Sequence, residues 1–165
     1  MTPPPRDGRR DLPAFTTASQ LPAPLRLVIP PEFEDANEHM NVSHYFSLQT
    51  KAVRWLMERL GFGADYRERH GHTLFTVEHR LRYLAEVKVG DEVSVHPALR
   101  VRTDKLLRGT SLLLNRSRNQ ISNTLDFDIL HINLETRRPS PLSPELARVA
   151  DEHIARAGTH GIEKP

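Results

Sequence analysis

No cysteine occurs among the 165 residues. That absence excludes disulfides, thiolate nucleophiles, iron–sulfur clusters and cysteine-ligated zinc, and it fits a reducing compartment. Any catalysis must therefore rest on oxygen and nitrogen groups. Long apolar runs are missing too: stretches such as Leu112-Leu113-Leu114 fall far short of the ~20 residues of a membrane span, and the N-terminus lacks a signal-peptide core. A soluble, cytoplasmic protein without a membrane partner is the expectation. Charge of one sign is also lacking, with 23 basic and 21 acidic residues and a net charge of +2. Although the pI near 9.2 leans basic, this balance does not demand nucleic acid as a partner. The eight glycines are scattered and form no phosphate-binding loop, and no G-x-S-x-G elbow is present.

Six of the 13 prolines fall in the first 24 residues, beside Arg9, Arg10, Thr16, Thr17 and Ser19. Without an apolar period, residues 1–24 read as a disordered leader. Residues 25–138 carry the pattern of one domain. The run Pro139-Ser140-Pro141-Leu142-Ser143-Pro144 then opens a C-terminal tail, 139–165, with a short helix near 145–157.

Within the domain, 25–29 is a short strand leading into a polar loop. From Val42 the period changes, as Tyr45, Leu48, Ala52, Trp55, Leu56 and Leu60 recur at three- and four-residue steps, with Phe46, Val53 and Met57 widening the arc. This predicts a helix of about 18 residues, wrapped by the rest of the protein, capped by Asn41 or Ser43 and stopped at Gly61. Strand patterns follow at 75–83, 93–102, 110–115 and 121–134. Pro97 suggests an edge or a bulge, and an apolar phase slip after Ile129 suggests an inserted residue in the last strand. The reading is α+β: an antiparallel sheet, its last four strands a meander, curled around one long central helix.

The densest polar cluster, 34–41, precedes that helix. The first helical N–H groups lack intrahelical partners and carry a partial positive charge, so they polarise a carbonyl held there. A carboxylate within one loop of them can act as nucleophile or general base. In an extended loop Asp35, Asn37 and His39 would project to one side. The same residue types also serve as ordinary capping material.

The pattern D-x-N-x-H-x-N, here Asp35, Asn37, His39 and Asn41, followed by Tyr45, resembles hotdog-fold thioesterases of the 4-hydroxybenzoyl-CoA thioesterase type, a group that includes acyl-ACP and betainyl-CoA thioesterase-like proteins. Phe75-Thr76-Val77-Glu78, Tyr83, Glu86, Gly90-Asp91 and Asp104-Lys105 resemble further motifs of that family, and the likeness runs roughly from 29 to 144. The resemblance implies the hotdog fold and hydrolysis of an acyl-CoA or acyl-carrier-protein thioester without a cofactor or metal. Asp35 would be nucleophile or base, and the amide near Val42 the carbonyl site. Asn37 and His39 would position water or carboxylate, and Glu78 is the fallback carboxylate. Asn41, Tyr45, Lys105 and Arg108 would contact substrate, and a homodimer or homotetramer would place sites at the subunit seam. Glu38 stands where the family often has glycine or glutamine, and it would raise the pKa of Asp35 or favour a cationic acyl group.

Two other readings compete. An enoyl-thioester hydratase needs a different Asp–His spacing from that of Asp35 and His39. A non-catalytic acyl-CoA-binding module of the DNA-binding kind needs a helix pair that the leader does not supply. His70 and His72 lack a third ligand at suitable spacing, so no metal site is expected.

Overall fold

The computed structural model describes residues 12–162. Helix α1 spans Phe15–Ala18, α2 Val42–Arg59, α3 Tyr66–His70 and α4 Pro144–Gly158. The strands are β1 Leu25–Val28, β2 His72–Tyr83, β3 Glu92–Arg102, β4 Leu106–Asn115, β5 Gln120–Asn133 and β6 Arg138–Pro139. No helix among them is long and apolar enough to cross a membrane.

All five strand pairings are antiparallel, in the order β1-β3-β4-β5-β2, with the two-residue β6 beside β5. The expected meander therefore covers only β3, β4 and β5. Strand β2 instead pairs with β5, Tyr83 opposite Asn123 and His72 opposite Asn133. Helix α2 runs along the strands: Tyr45, Leu48 and Ala52 pack with Val93, Val95 and Leu113, and Val53, Leu56 and Met57 with Leu99, Leu107, Leu125 and Phe127. Its start already meets β2, through Tyr45 with Tyr83 and Phe46 with His79, and β2 lies at the edge opposite β1. From that edge the chain returns through residues 84–91 to reach β3.

Helix α2 begins where expected, with Asn41 Oδ1 accepting from the Ser43 N–H at 2.9 Å. Its buried stripe is Tyr45, Leu48, Gln49, Ala52, Val53, Leu56 and Met57. The helix is not wrapped on all sides, because Val42 and Phe46 are exposed where the helix start meets Tyr83 and His79 of the edge strand β2. Among the stripe, Gln49 donates to Asn123 Oδ1 at 2.8 Å, which ties helix to sheet through a buried polar contact.

Three extra residues bend the strands: Val77 in β2, Arg100 in β3 and Ser122 in β5. The slip expected after Ile129 is thus met on the facing strand, by Val77 opposite Asp128 and Ile129. Strand β5 passes through Ile129 and Leu130 unbroken, and Leu130 and Ile132 turn to the face opposite Leu125, Phe127 and Ile129. Pro97 lies beyond the end of β1, whose pairing stops at Val95, so no ladder partner is lost on that side.

Two expectations about the termini are corrected. Residues 12–24 of the supposed leader are ordered: Ala18 and Leu21 are buried with Ala98, Leu112, Leu114, Ala157 and Ile162. Residues 1–11 lie outside the described residues. The C-terminal segment is part of the domain, since Leu142, Ala150 and Ile154 join the core of Leu56, Leu99 and Leu107, and Arg102 grips Asp151 with two bonds of 2.8 and 2.6 Å. Periodicity showed the helix, but burial of these apolar residues depends on a sheet face built far away in sequence.

The buried histidines set a pH dependence. His131 is 2% exposed; its Nδ1 donates to the Ser140 carbonyl at 2.8 Å and its Nε2 accepts from the Tyr66 hydroxyl at 2.7 Å. His96 is held likewise between the Leu21 carbonyl and the Ser94 hydroxyl. Burial pushes both pKa values below the ordinary 6.5, and these partners suit the neutral ring. The unfolded chain therefore binds more protons than the folded one as pH drops below 6.5, and stability is lost in that direction. The urea midpoint should fall between pH 7 and pH 5, above the range where Asp91 titrates. A flat profile would overturn the assignment.

Candidate active site

The loop before α2 is a tight turn and not the expected extended strip. Asp35 N–H donates to the His39 carbonyl at 3.0 Å, Glu38 N–H donates to the Asp35 carbonyl at 3.1 Å, and Glu34 bridges Met40. Asp35 Oδ1 accepts the Asn37 N–H at 2.8 Å, a local turn that Asp and Asn favour. Asp35 and His39 thus meet across the turn, with Oδ1 3.8 Å from Nδ1. Asn37 sits exposed at the tip, tied to Asp35 by its backbone. Glu38 adopts φ = +61°, a left-handed geometry that costs a non-glycine residue of order 1 kcal/mol. Here glycine, which the resembled family often carries, would be unstrained.

The first amides of α2 are unequally used. Asn41 Oδ1 takes the Ser43 N–H and hydroxyl, and the Asn41 carbonyl takes the His44 N–H. Among the described residues this leaves Val42 N–H without a recorded acceptor, at the positive end of the helix. Asn41 itself is engaged as the cap. Val42 borders a cavity of about 280 Å³, with His39, Met40, Tyr45, Tyr83 and Glu86 among its walls. Asp35 is not among those walls; its Oδ1 lies 3.8 Å from Nδ1 of His39, which is. A larger groove of about 360 Å³ lies along the later turns of α2, between Met57, Tyr66 and Thr73, and of the motif residues only Thr76 lines it.

The far wall comes from the crossing segment, residues 84–91, which is held in place strand by strand. Met40 N–H donates to the Val87 carbonyl, Gly90 N–H to the Ile29 carbonyl and Ile29 N–H to the Asp91 carbonyl, all within 2.9 Å. Asp91 accepts from Lys88 N–H, the Asn115 amide and Arg118. Burial works to raise its pKa, but these donors hold it below the ordinary value. Asp91 therefore serves as a clamp, and its Gly90 partner supplies the positive φ of 86° that the turn needs. Tyr45 is both core and wall: it is 4% exposed, and its hydroxyl accepts from Val87 N–H at 3.2 Å.

Other expected residues are not gathered here. Glu78 borders a separate cleft with Arg80, Arg108, Asp126 and Asp128, on the sheet face opposite α2, because its neighbour His79 meets Phe46 of the helix. Arg108 is committed to Asp128 through bonds of 2.7 and 2.5 Å. Lys105 lies in the β3–β4 turn, its carbonyl bonded to His131 N–H, at the opposite end of β5 from the cavity. His72 has both ring nitrogens bonded, to the His70 carbonyl and the Ser140 hydroxyl. Tyr83 and Glu86, by contrast, are motif residues with no role assigned by the resemblance, and both wall the cavity. Their signal was the Tyr83…Glu86…Gly90-Asp91 spacing, which fixes where the chain crosses back.

Comparison with known proteins agrees with this architecture. A Staphylococcus aureus hypothetical protein solved in complex with CoA superposes with a TM-score of 0.74 at 24% identity, covering 79% of this chain and 82% of that one. A 1,4-dihydroxy-2-naphthoyl-CoA thioesterase from Synechocystis superposes with a TM-score of 0.67 at 12% identity, covering 78% and 94%. At such identities the likeness concerns the fold, which is the hotdog fold. In sequence, the betainyl-CoA thioesterase of Pseudomonas aeruginosa is 32% identical over 136 residues, 80% of this chain and 86% of that protein. An L-carnitine dehydrogenase/betainyl-CoA thioesterase of Agrobacterium fabrum is 34% identical over 117 residues, 71% of this chain, which spans only 24% of that longer protein. The thioesterase-like superfamily model matches residues 29–149, from the strand end that anchors the crossing segment into α4, and the chain belongs to that superfamily.

Proposed function

We propose that this chain hydrolyses an acyl-CoA thioester. The observation that carries the reading is a cavity lined by Val42 at the helix start, by Tyr83 and by His39, with the carboxylate of Asp35 3.8 Å from the His39 ring. The thioester carbonyl oxygen would sit on Val42 N–H, where negative charge develops as the carbonyl carbon is attacked. Asp35 would attack as nucleophile or take a proton from water, with His39 beside it. On either route the C–S bond breaks, the acyl group leaves as a carboxylic acid carrying an oxygen from water, and CoA leaves as its thiol. The curated relatives point to betainyl as the acyl group.

A homodimer completes the arrangement. Strand β2 is an edge strand with Phe75, Val77 and Tyr83 exposed, and a second copy covers such an edge best by antiparallel pairing about a two-fold axis. That pairing reverses β2, so it brings the His72 end and the neighbouring Lys105 turn of one copy toward the Tyr83 end of the other. Lys105, remote from the cavity within its own chain, would then reach a CoA bound to the partner.

The direct test is release of free thiol from aliphatic, aromatic and betainyl esters of CoA and from acyl-carrier-protein thioesters. Turnover of at least one CoA ester is expected. Tight binding of CoA esters without cleavage would replace the hydrolase reading with that of a binding module.

A further inference from the structure

We infer that Tyr45, Tyr83 and Glu86 form a receptor for a quaternary-ammonium acyl headgroup, set against the helix start so that only short cationic acyl groups fit. The inference rests on the thioesterase reading above for the position of the carbonyl. The rings of Tyr45 and Tyr83 stand 5.3 Å apart at 90°, giving two perpendicular aromatic walls. Tyr45 is immobilised by its bond to Val87, whereas Tyr83 is 52% exposed at the mouth of the cavity. Aromatic faces attract alkylammonium cations.

Charge supports the same occupant. In a protein with 23 lysines and arginines, neither type lines this cavity, while Glu86 does. Lys88 Nζ approaches Glu86 at 3.9 Å, but the pair is solvent-exposed, 47% and 63%, and such contacts are weak. A cation held against the cavity wall would compete with it. Burial above all raises the Tyr45 pKa, the Val87 N–H works against it, and Tyr83, Glu86 and Asp91 add smaller increments.

Reach then limits the acyl length. In a trimethylammonioacetyl ester the nitrogen is two bonds from the carbonyl carbon, roughly 2.5 Å away. With the carbonyl oxygen on Val42 N–H, the headgroup falls among the walls that share this cavity with Val42. The helix start repels a cation, so the headgroup must point away from α2, toward Tyr83 and Glu86. A cation on a longer arm would pass these residues and lie outside.

The test compares kcat/KM for betainyl-CoA with that for 3,3-dimethylbutanoyl-CoA, which has the same shape with a neutral quaternary carbon. The wild type is expected to prefer the cation about tenfold or more. Tyr83→Leu should lower that ratio about fivefold, Tyr83→Phe should restore it, and Glu86→Gln should also lower it. Equal rates for the two esters in the wild type, or variants that lose both in parallel, would overturn the receptor while leaving the hydrolase intact. Calorimetric titration with glycine betaine and with 3,3-dimethylbutanoate reads the receptor without turnover. Betaine binding that Tyr83→Leu weakens supports the receptor even if no ester is cleaved, and absence of betaine binding together with no cation preference refutes it.

Discussion

Asp35→Asn should lower thioester hydrolysis ~100-fold or more with the fold unchanged. The substitution removes the charge and the basic lone pair, so neither nucleophilic attack nor proton abstraction from water remains. It keeps the structural role, because Asn Oδ1 can still accept the Asn37 N–H that Asp35 Oδ1 accepts at 2.8 Å, and Asn favours the same local turn. Unchanged thermal unfolding combined with lost turnover is therefore the expected pair of results. Glu78→Gln, measured alongside, tests the other carboxylate, which lies across the sheet among Arg80, Arg108 and Asp128. Activity of Asp35→Asn within tenfold of wild type would remove Asp35 from the chemistry, and a collapse on Glu78→Gln instead would move the site to the outer face.

Phe127→Ala should cost about 3–5 kcal/mol of stability, the largest single loss from the core. Phe127 is 1% exposed and packs with Leu125, Ile129 and the Val53, Leu56 and Met57 face of α2. Its ring also lies over Gly109 on β4, where an added Cβ would collide with the ring and with the Ala98 carbonyl. Glycine in the middle of a strand is costly in itself, so the space it leaves is used by its neighbour's ring. Gly109→Ala should accordingly destabilise by about 1–3 kcal/mol through overpacking. Combined with Phe127→Ala, its effect should shrink, since the ring is gone and only the carbonyl contact remains. Urea denaturation of the two single variants and the double variant measures the coupling; strict additivity would show that ring and glycine do not share the space.

Local patterns carried much of the reading. The Asn41 cap and the 18-residue length of α2 followed from spacing and capping chemistry, because both depend on bonds within a few residues. The chemistry-bearing loop was also legible as a place, since Asp35 and His39 do sit just before the helix. Its shape was not: residue alternation suggested an extended strip, whereas the Asp35–His39 backbone pair and a left-handed Glu38 fold it into a turn. A non-glycine residue at positive φ leaves no clear mark in sequence, so the turn could be read only from its hydrogen bonds.

The absence of cysteine alone determined that any chemistry here rests on oxygen and nitrogen groups. Apolar period determined the helix and the strands, and motif spacing marked the loop at Asp35. Tertiary structure decided the rest. Which strands pair is a long-range matter: β2 pairs with β5 at the edge opposite β1, so the chain must cross back through residues 84–91 to reach β3. That single crossing sends residues 84–91 back over the start of α2, so Tyr83 and Glu86 wall the cavity beside Val42. It also leaves Glu78, Lys105 and Arg108 elsewhere in the same chain, because pleating and strand direction separate residues that a motif list places side by side.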